Sequence, residues 1–162
     1  MSTAPFPSST PNESTPGNDN PAVDPFAGLL AKATYRSSGI GTNLSIRLER
    51  SADVLVLRIV GTSSDSLPET FTGAVEQVLR GMRPPFAAVD LTGSQSLPSV
   101  ILAFLVFFHK NAEINGTSKV VLYGANSRIL TVIKMIGMLD FFVIKSDEAA
   151  MRLHVADASA AR

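Results

Sequence analysis

Asp90-Leu91-Thr92-Gly93-Ser94-Gln95-Ser96-Leu97-Pro98-Ser99 separates two apolar runs of different kinds. Before it, Phe86-Ala87-Ala88-Val89 is short and continuously apolar, as a strand covered on both faces would be. After it, Val100 to Phe108 is longer and reads as a helix. Between them the chain turns through small hydroxylated residues. A strand ending in Asp, a turn, and a helix opening on Ser make the repeating unit of an α/β domain.

Working outward, the elements keep alternating. Leu44, Ile46 and Leu48 alternate with Ser45, Arg47 and Glu49, which predicts a half-solvated strand. Val54 to Val60 is almost wholly apolar and predicts a central strand. Ser66-Leu67-Pro68-Glu69 has the S-x-x-E capping pattern, Phe71, Val75, Val78 and Leu79 follow at helical spacing, and Gly81 is expected to stop the helix. Ser96-Leu97-Pro98-Ser99 repeats that pattern, so Ser96 reads as the N-cap and Ser99 as the third helical residue of a helix from Pro98 to about Asn115, closed by Gly116. Lys119 to Tyr123 predicts a strand. Asn126 caps a helix to Ile136 that Gly137 ends, Phe141 to Ile144 predicts a short strand, and Ser146 caps a last helix. The order ββαβαβαβα implies an α/β domain: a single mixed β-sheet with helices packed on it.

The flanks differ in composition. Residues 1–42 form a Ser/Thr/Pro-rich tail and linker, with a short helix over 22–33 as the one structured expectation; Met1 to Pro21 cannot bury enough apolar surface to offset its ordering entropy. Tyr35 to Thr42 has linker composition, the folded domain is expected over 43–155, and 156–162 is expected to fray.

The chain has 162 residues, no cysteine and a formal net charge of zero. Zero charge offers no basic face for nucleic acid and no polybasic stretch for an anionic membrane. Absence of cysteine excludes disulfides and thiolate chemistry. The N-terminus lacks a secretory pattern, and Val100 to Phe108 is too short to span a bilayer, so a cytoplasmic protein without membrane insertion is expected.

Three stretches together resemble the STAS domain, the domain of bacterial anti-anti-sigma factors. Gly61 to Glu69 stands where that family has a Gly-Glu-Leu-Asp loop before its first helix. Asp90 to Leu102 stands where it has Asp-Leu-Ser and then Asp-Ser-Ser-Gly-Leu. Gly124 to Ile144 resembles its last half. The resemblance covers about Leu44 to Leu153 and implies the STAS fold. It also implies a non-enzymatic module that antagonises an anti-sigma factor, a serine kinase of histidine-kinase fold, by partner switching. Ser99 falls where the family's phosphorylated serine lies. Asp90, Thr92, Gly93, Ser94, Ser96, Pro98, Ser99 and Val100, with Ser64 and Asp65, fall on its partner-binding surface. The departures are specific: Pro98 replaces the aspartate before the serine, Val100-Ile101 replaces Ser-Gly, and Gly61-Thr62-Ser63-Ser64 replaces the acidic loop, with Asp65 displaced by one position. These favour an alternative, a constitutive non-phosphorylated scaffold subunit of a lipid-transport ATPase or a stress-signalling complex; a homo-oligomer is a further partner expectation under either reading.

Other chemistry is sparse. His109 and His154 have no carboxylates at metal-ligand spacing, and His109 reads as the point where its helix turns polar. Asp90 has no base or nucleophile beside it and reads as a loop hydrogen-bonding group. Gly39-Ile40-Gly41 lacks the strand and helix of a phosphate loop. Arg128 and Lys134 read as a solvated helix face. No catalytic constellation and no cofactor are expected. Val100 to Phe108 leaves no polar face, so that helix is either covered by its neighbours, with Ala22 to Leu30 as one candidate cover, or presents an apolar patch to a partner.

Overall fold

The structure, a computed structural model, describes residues 24–37 and 39–161. The tail expected up to Pro21 lies outside them. The elements are α1 (Ala27–Lys32), β1 (Thr34–Arg36), β2 (Ser45–Ser51), β3 (Val54–Val60), α2 (Glu69–Met82), β4 (Phe86–Gly93), α3 (Ser99–Ile114), β5 (Val120–Tyr123), α4 (Ser127–Met135), a 3-10 turn (Leu139–Phe141), β6 (Phe142–Lys145) and α5 (Glu148–Ala160). From β2 onward the order is the expected ββαβαβαβα.

One six-stranded sheet runs β1-β2-β3-β4-β5-β6. The first two junctions are antiparallel and the other three parallel. The alternation in β3 and β4 builds two cores. Leu55, Leu57, Ile59, Val89 and Leu91 point to the side of α2, α3 and α4, whereas Val54, Val56, Phe86 and Ala88 point to Met151 of α5. Both faces of the parallel strands are therefore covered, which is why β3 shows no polar alternation until Arg58.

Several local expectations need correction. Thr34–Arg36 is no linker: it pairs with β2 as an edge strand. Before it, α1 lies against α2 and β2 rather than over α3, and Ala33 is buried in the main core. Gly81 does not end α2; the helix stops at Arg83, which takes a left-handed conformation (φ 45°) and donates its N–H to Leu79 O at 3.0 Å. Gly81 makes room for another group instead, since a Cβ there would lie 3.3 Å from Phe26 Cε1. α5 is capped by Asp147, whose Oδ1 accepts from Ala150 N at 2.8 Å, while the carbonyl of Ser146 accepts from Gly124 N. From Ala156, where fraying is expected, α5 continues to Ala160, and Val155 and Ala158 pack on the second core.

Candidate functional site

The exit of β4 is built by loops meeting at the C-terminal edge of the parallel strands. β4 extends through Gly93, so Asp90 to Gly93 is strand and not turn. Asp90 Oδ1 accepts from Thr92 N at 2.9 Å, the local role expected of it. Ser94, expected on a partner-binding surface, is buried; its hydroxyl donates to Ile59 O at 3.0 Å and ties the loop to the end of β3. The same hydroxyl lies 3.4 Å from Gly61 O, and Gly61 N donates to Gly93 O at 3.0 Å, so several bonds join the exits of β3 and β4.

Two glycines let the neighbouring segments approach these exits, Asn43 against the end of β3 and the β5 exit against Thr92. A Cβ on Gly61 (φ +78°) would fall 2.1 Å from Asn43 O, and one on Gly124 (φ +74°) would fall 2.3 Å from Thr92 Oγ1. Neither a side chain nor an unstrained L-residue fits at these positions. From α4, Asn126 uses both ends of its amide: Oδ1 accepts from Ile129 N at 2.9 Å as the expected cap, and Nδ2 donates to Gln95 O at 3.0 Å.

The helix that follows starts later than its spacing suggests. Pro98, not Ser96, is the N-cap of α3, and Pro68, not Ser66, that of α2; neither has a side-chain cap bond. The reason is local sterics: a residue before proline is pushed out of the helical region, so Leu97 and Leu67 cannot be the first helical residues. Each proline instead sits extended (φ −63°) and offers its carbonyl to the first turn, with Ile101 N and Leu102 N both 3.0 Å from Pro98 O. Ser99 is thus the first helical residue, not the third, and it is exposed. Leu97 is buried and pins the loop from below. Thr92 and Gly93 are exposed on the β4 exit, Ser64 and Asp65 are exposed on the β3–α2 loop, and Ser96, Pro98 and Val100 are half-buried.

The apolar helix is mostly covered. Ile101, Phe104, Leu105, Phe108 and Ala112 are buried, and Phe104 meets Phe71 of α2 with ring centroids 5.4 Å apart. A stripe stays open: Ala103 is exposed, and Leu102, Val106 and Phe107 are half-buried. His109 does not mark a polar turn. It is buried between Phe141 and Phe142, with Nε2 3.3 Å from Glu113 Oε2 and Nδ1 without a partner among the described residues. Arg128 and Lys134 are exposed.

A charged row beneath the loop escaped the sequence reading. Strand register aligns Thr34, Arg47, Arg58, Asp90, Tyr123 and Lys145 across the sheet on the α5 side. Arg58 donates through Nε to Glu49 Oε2 at 2.6 Å and through Nη1 to Asp90 Oδ2. The bond to Glu49, more than the nearby Asp90, holds the guanidinium above its ordinary range against its own desolvation. Tyr123 is buried next to Asp90, but its hydroxyl has no partner in hydrogen-bond geometry among the described residues. Burial, with Asp90 adding, pushes its pKa up to about 12. Among these residues there is no group of three or more His, Asp or Glu able to hold a metal, and no helix is long and apolar enough to cross a membrane.

No protein-family model matches the sequence, and no curated protein does. Solved structures do match. A substituted RsbS from Moorella thermoacetica aligns with a TM-score of 0.58 at 14% identity, covering 70% of this chain and 97% of that one. A chain of the stressosome, a signal integration and transduction hub, aligns with a TM-score of 0.61 at 16% identity, covering 69% of this chain and 97% of that one. A Thermotoga maritima protein provisionally assigned as an anti-sigma factor antagonist aligns at 0.50 and 14%, covering 68% and 94%. Such agreement over nearly the whole of each neighbour, with the elements in the expected order from β2 onward, is agreement of fold: this chain has the STAS fold.

Proposed function

We propose that this chain is a non-enzymatic interaction module of the cytoplasm that antagonises an anti-sigma factor by partner switching. It docks a serine kinase of histidine-kinase fold through the exit of β4, the β4–α3 loop and the first turn of α3. Thr92, Gly93, Ser96, Pro98, Ser99 and Val100 form this surface, with Ser64 and Asp65 at its border; Asp90 and Ser94 hold it from beneath. The observation that carries the reading is the exposure of Ser99 as the first residue of α3, on a loop anchored at Leu97, Ser94 and Gln95. The first N–H groups of a helix have no intrahelical acceptors and favour negative charge. A phosphate on Ser99 adds close to two negative charges there, so α3 tolerates it while the partner meets new charge and bulk.

Pro98 and Val100 support a second reading, a constitutive scaffold subunit, because they replace the acid and second serine that flank the family's phosphoserine. One set of variants separates the two. With an anti-sigma kinase and ATP, Ser99 is the expected site of label, and Ser99→Ala abolishes it. Ser99→Asp is expected to weaken kinase binding by about tenfold or more in titration calorimetry. Unchanged binding by Ser99→Asp supports the scaffold reading, and full labelling of Ser99→Ala overturns the switch.

A further inference from the structure

Toward the other end of α3 lies an apolar groove, and the C-terminus of α4, a few residues before the groove's Phe141, carries an apolar knob. The groove, of about 290 Å³, is floored by Val106, His109 and Phe141 and flanked by Lys110, Glu113, Lys119 and Asp140. The knob is the C-terminus of α4, where Met135 is 80% and Ile136 49% exposed; five residues on, Phe141 at the groove is 46% exposed. At 1.5 Å per helical residue, the groove runs from about 10 Å (Val106) to about 20 Å (Glu113) along α3 from Ser99, so this surface lies beyond the docking loop and the first turn of α3. A cluster of large apolar side chains left open in this way marks a protein contact.

We propose that a second copy of this chain docks here, with Met135 and Ile136 of each copy entering the groove of the other about a two-fold axis. Shape supports that occupant: a surface that carries both a knob and a hole can receive its own rotated image, as an isologous contact requires. Charge supports it too. Two lysines and two carboxylates flank the groove, so each lysine can meet a carboxylate of the other copy, whereas a flank of one sign would call for a foreign partner of the opposite sign. The zero net charge of the chain removes long-range repulsion between copies. The resulting dimer leaves both Ser99 ends free, and each can engage its own partner.

Sedimentation equilibrium of the full chain from micromolar to several hundred micromolar tests this. A monomer–dimer equilibrium is expected. Met135→Glu, at a position too exposed to disturb folding, is expected to raise the dimer dissociation constant by about tenfold or more, while Leu153→Glu on the far side leaves it unchanged. Lys119→Glu and Asp140→Lys should each weaken the dimer, and the two combined should recover it to within about threefold. A chain that stays monomeric throughout overturns the proposal and leaves the patch to a foreign protein. A dimer indifferent to Met135→Glu, or a charge swap that recovers nothing, overturns it as well.

Discussion

Tyr123 carries the clearest residue-scale consequence. Its phenol is buried beneath α5 beside Asp90, and its pKa rises from the ordinary 10.0 to about 12. Below pH 10 both folded and unfolded chains keep the proton, so stability is unaffected. Between pH 10 and 12 the unfolded chain ionises first, and stability falls by up to about 1.4 kcal/mol per pH unit from this group. Tyr123→Phe is expected to remove that component of the decline. Because the hydroxyl has no partner in good hydrogen-bond geometry among the described residues, with Asp90 only nearby, the variant should differ from wild type by less than about 1 kcal/mol at pH 7. Urea midpoints from pH 9 to 12 check this, and parallel curves would refute it. The loop residues Asp90 and Ser99 are legible in sequence because they punctuate an apolar pattern. Arg58 is not: in Val-Leu-Val-Leu-Arg-Ile-Val it reads as a lone interruption, and its partners Glu49 and Asp90 lie 9 and 32 residues away.

At the scale of elements, α4 and the docking loop share one side chain. Asn126→Ala removes the α4 cap and the tie to Gln95, and is expected to destabilise the protein by about 1–2 kcal/mol. Asn126→Asp keeps the acceptor for Ile129 N but cannot donate to Gln95 O, so it should retain most of the stability while loosening the loop. Amide exchange at Ile129 and at Ser94, whose N–H donates to Leu91 O, distinguishes the two: protection at Ile129 survives only in the Asp variant, and protection at Ser94 falls in both. The cap was legible because Asn before an apolar periodic run is a local signal. The second bond was not, since the other end of the same amide reaches a carbonyl 31 residues away. The helix starts at Pro68 and Pro98 show a local rule prevailing over a motif: Ser-x-x-Glu spacing suggests a cap, and proline sterics move the cap two residues on.

At the scale of the whole molecule, the sheet and main core begin before Asn43. Ala33 is fully buried, Leu29, Leu30 and Tyr35 pack on the main core, and the rings of Tyr35 and Phe71 are 5.7 Å apart. Removing the chain up to Thr42 is expected to lower the unfolding free energy by about 3 kcal/mol or more, because β2 becomes an edge and α2 loses its apolar cover. Chemical denaturation of the shortened and full chains checks this; equal stabilities would show that the fold is complete from Asn43. The sequence by itself determined the order of strands and helices from Leu44 onward, the covered character of β3 and β4, and the turn from strand to helix that carries Ser99. These follow from periodicity, propensity and punctuation within a few neighbouring residues. Only the tertiary structure decided that Thr34 to Arg36 joins the sheet, that Ser94 is buried, that a charged row runs under the loop, and that α3 is covered along all but one stripe. Each of those depends on which residues the register of distant strands brings together, and short-range pattern carries no record of that register.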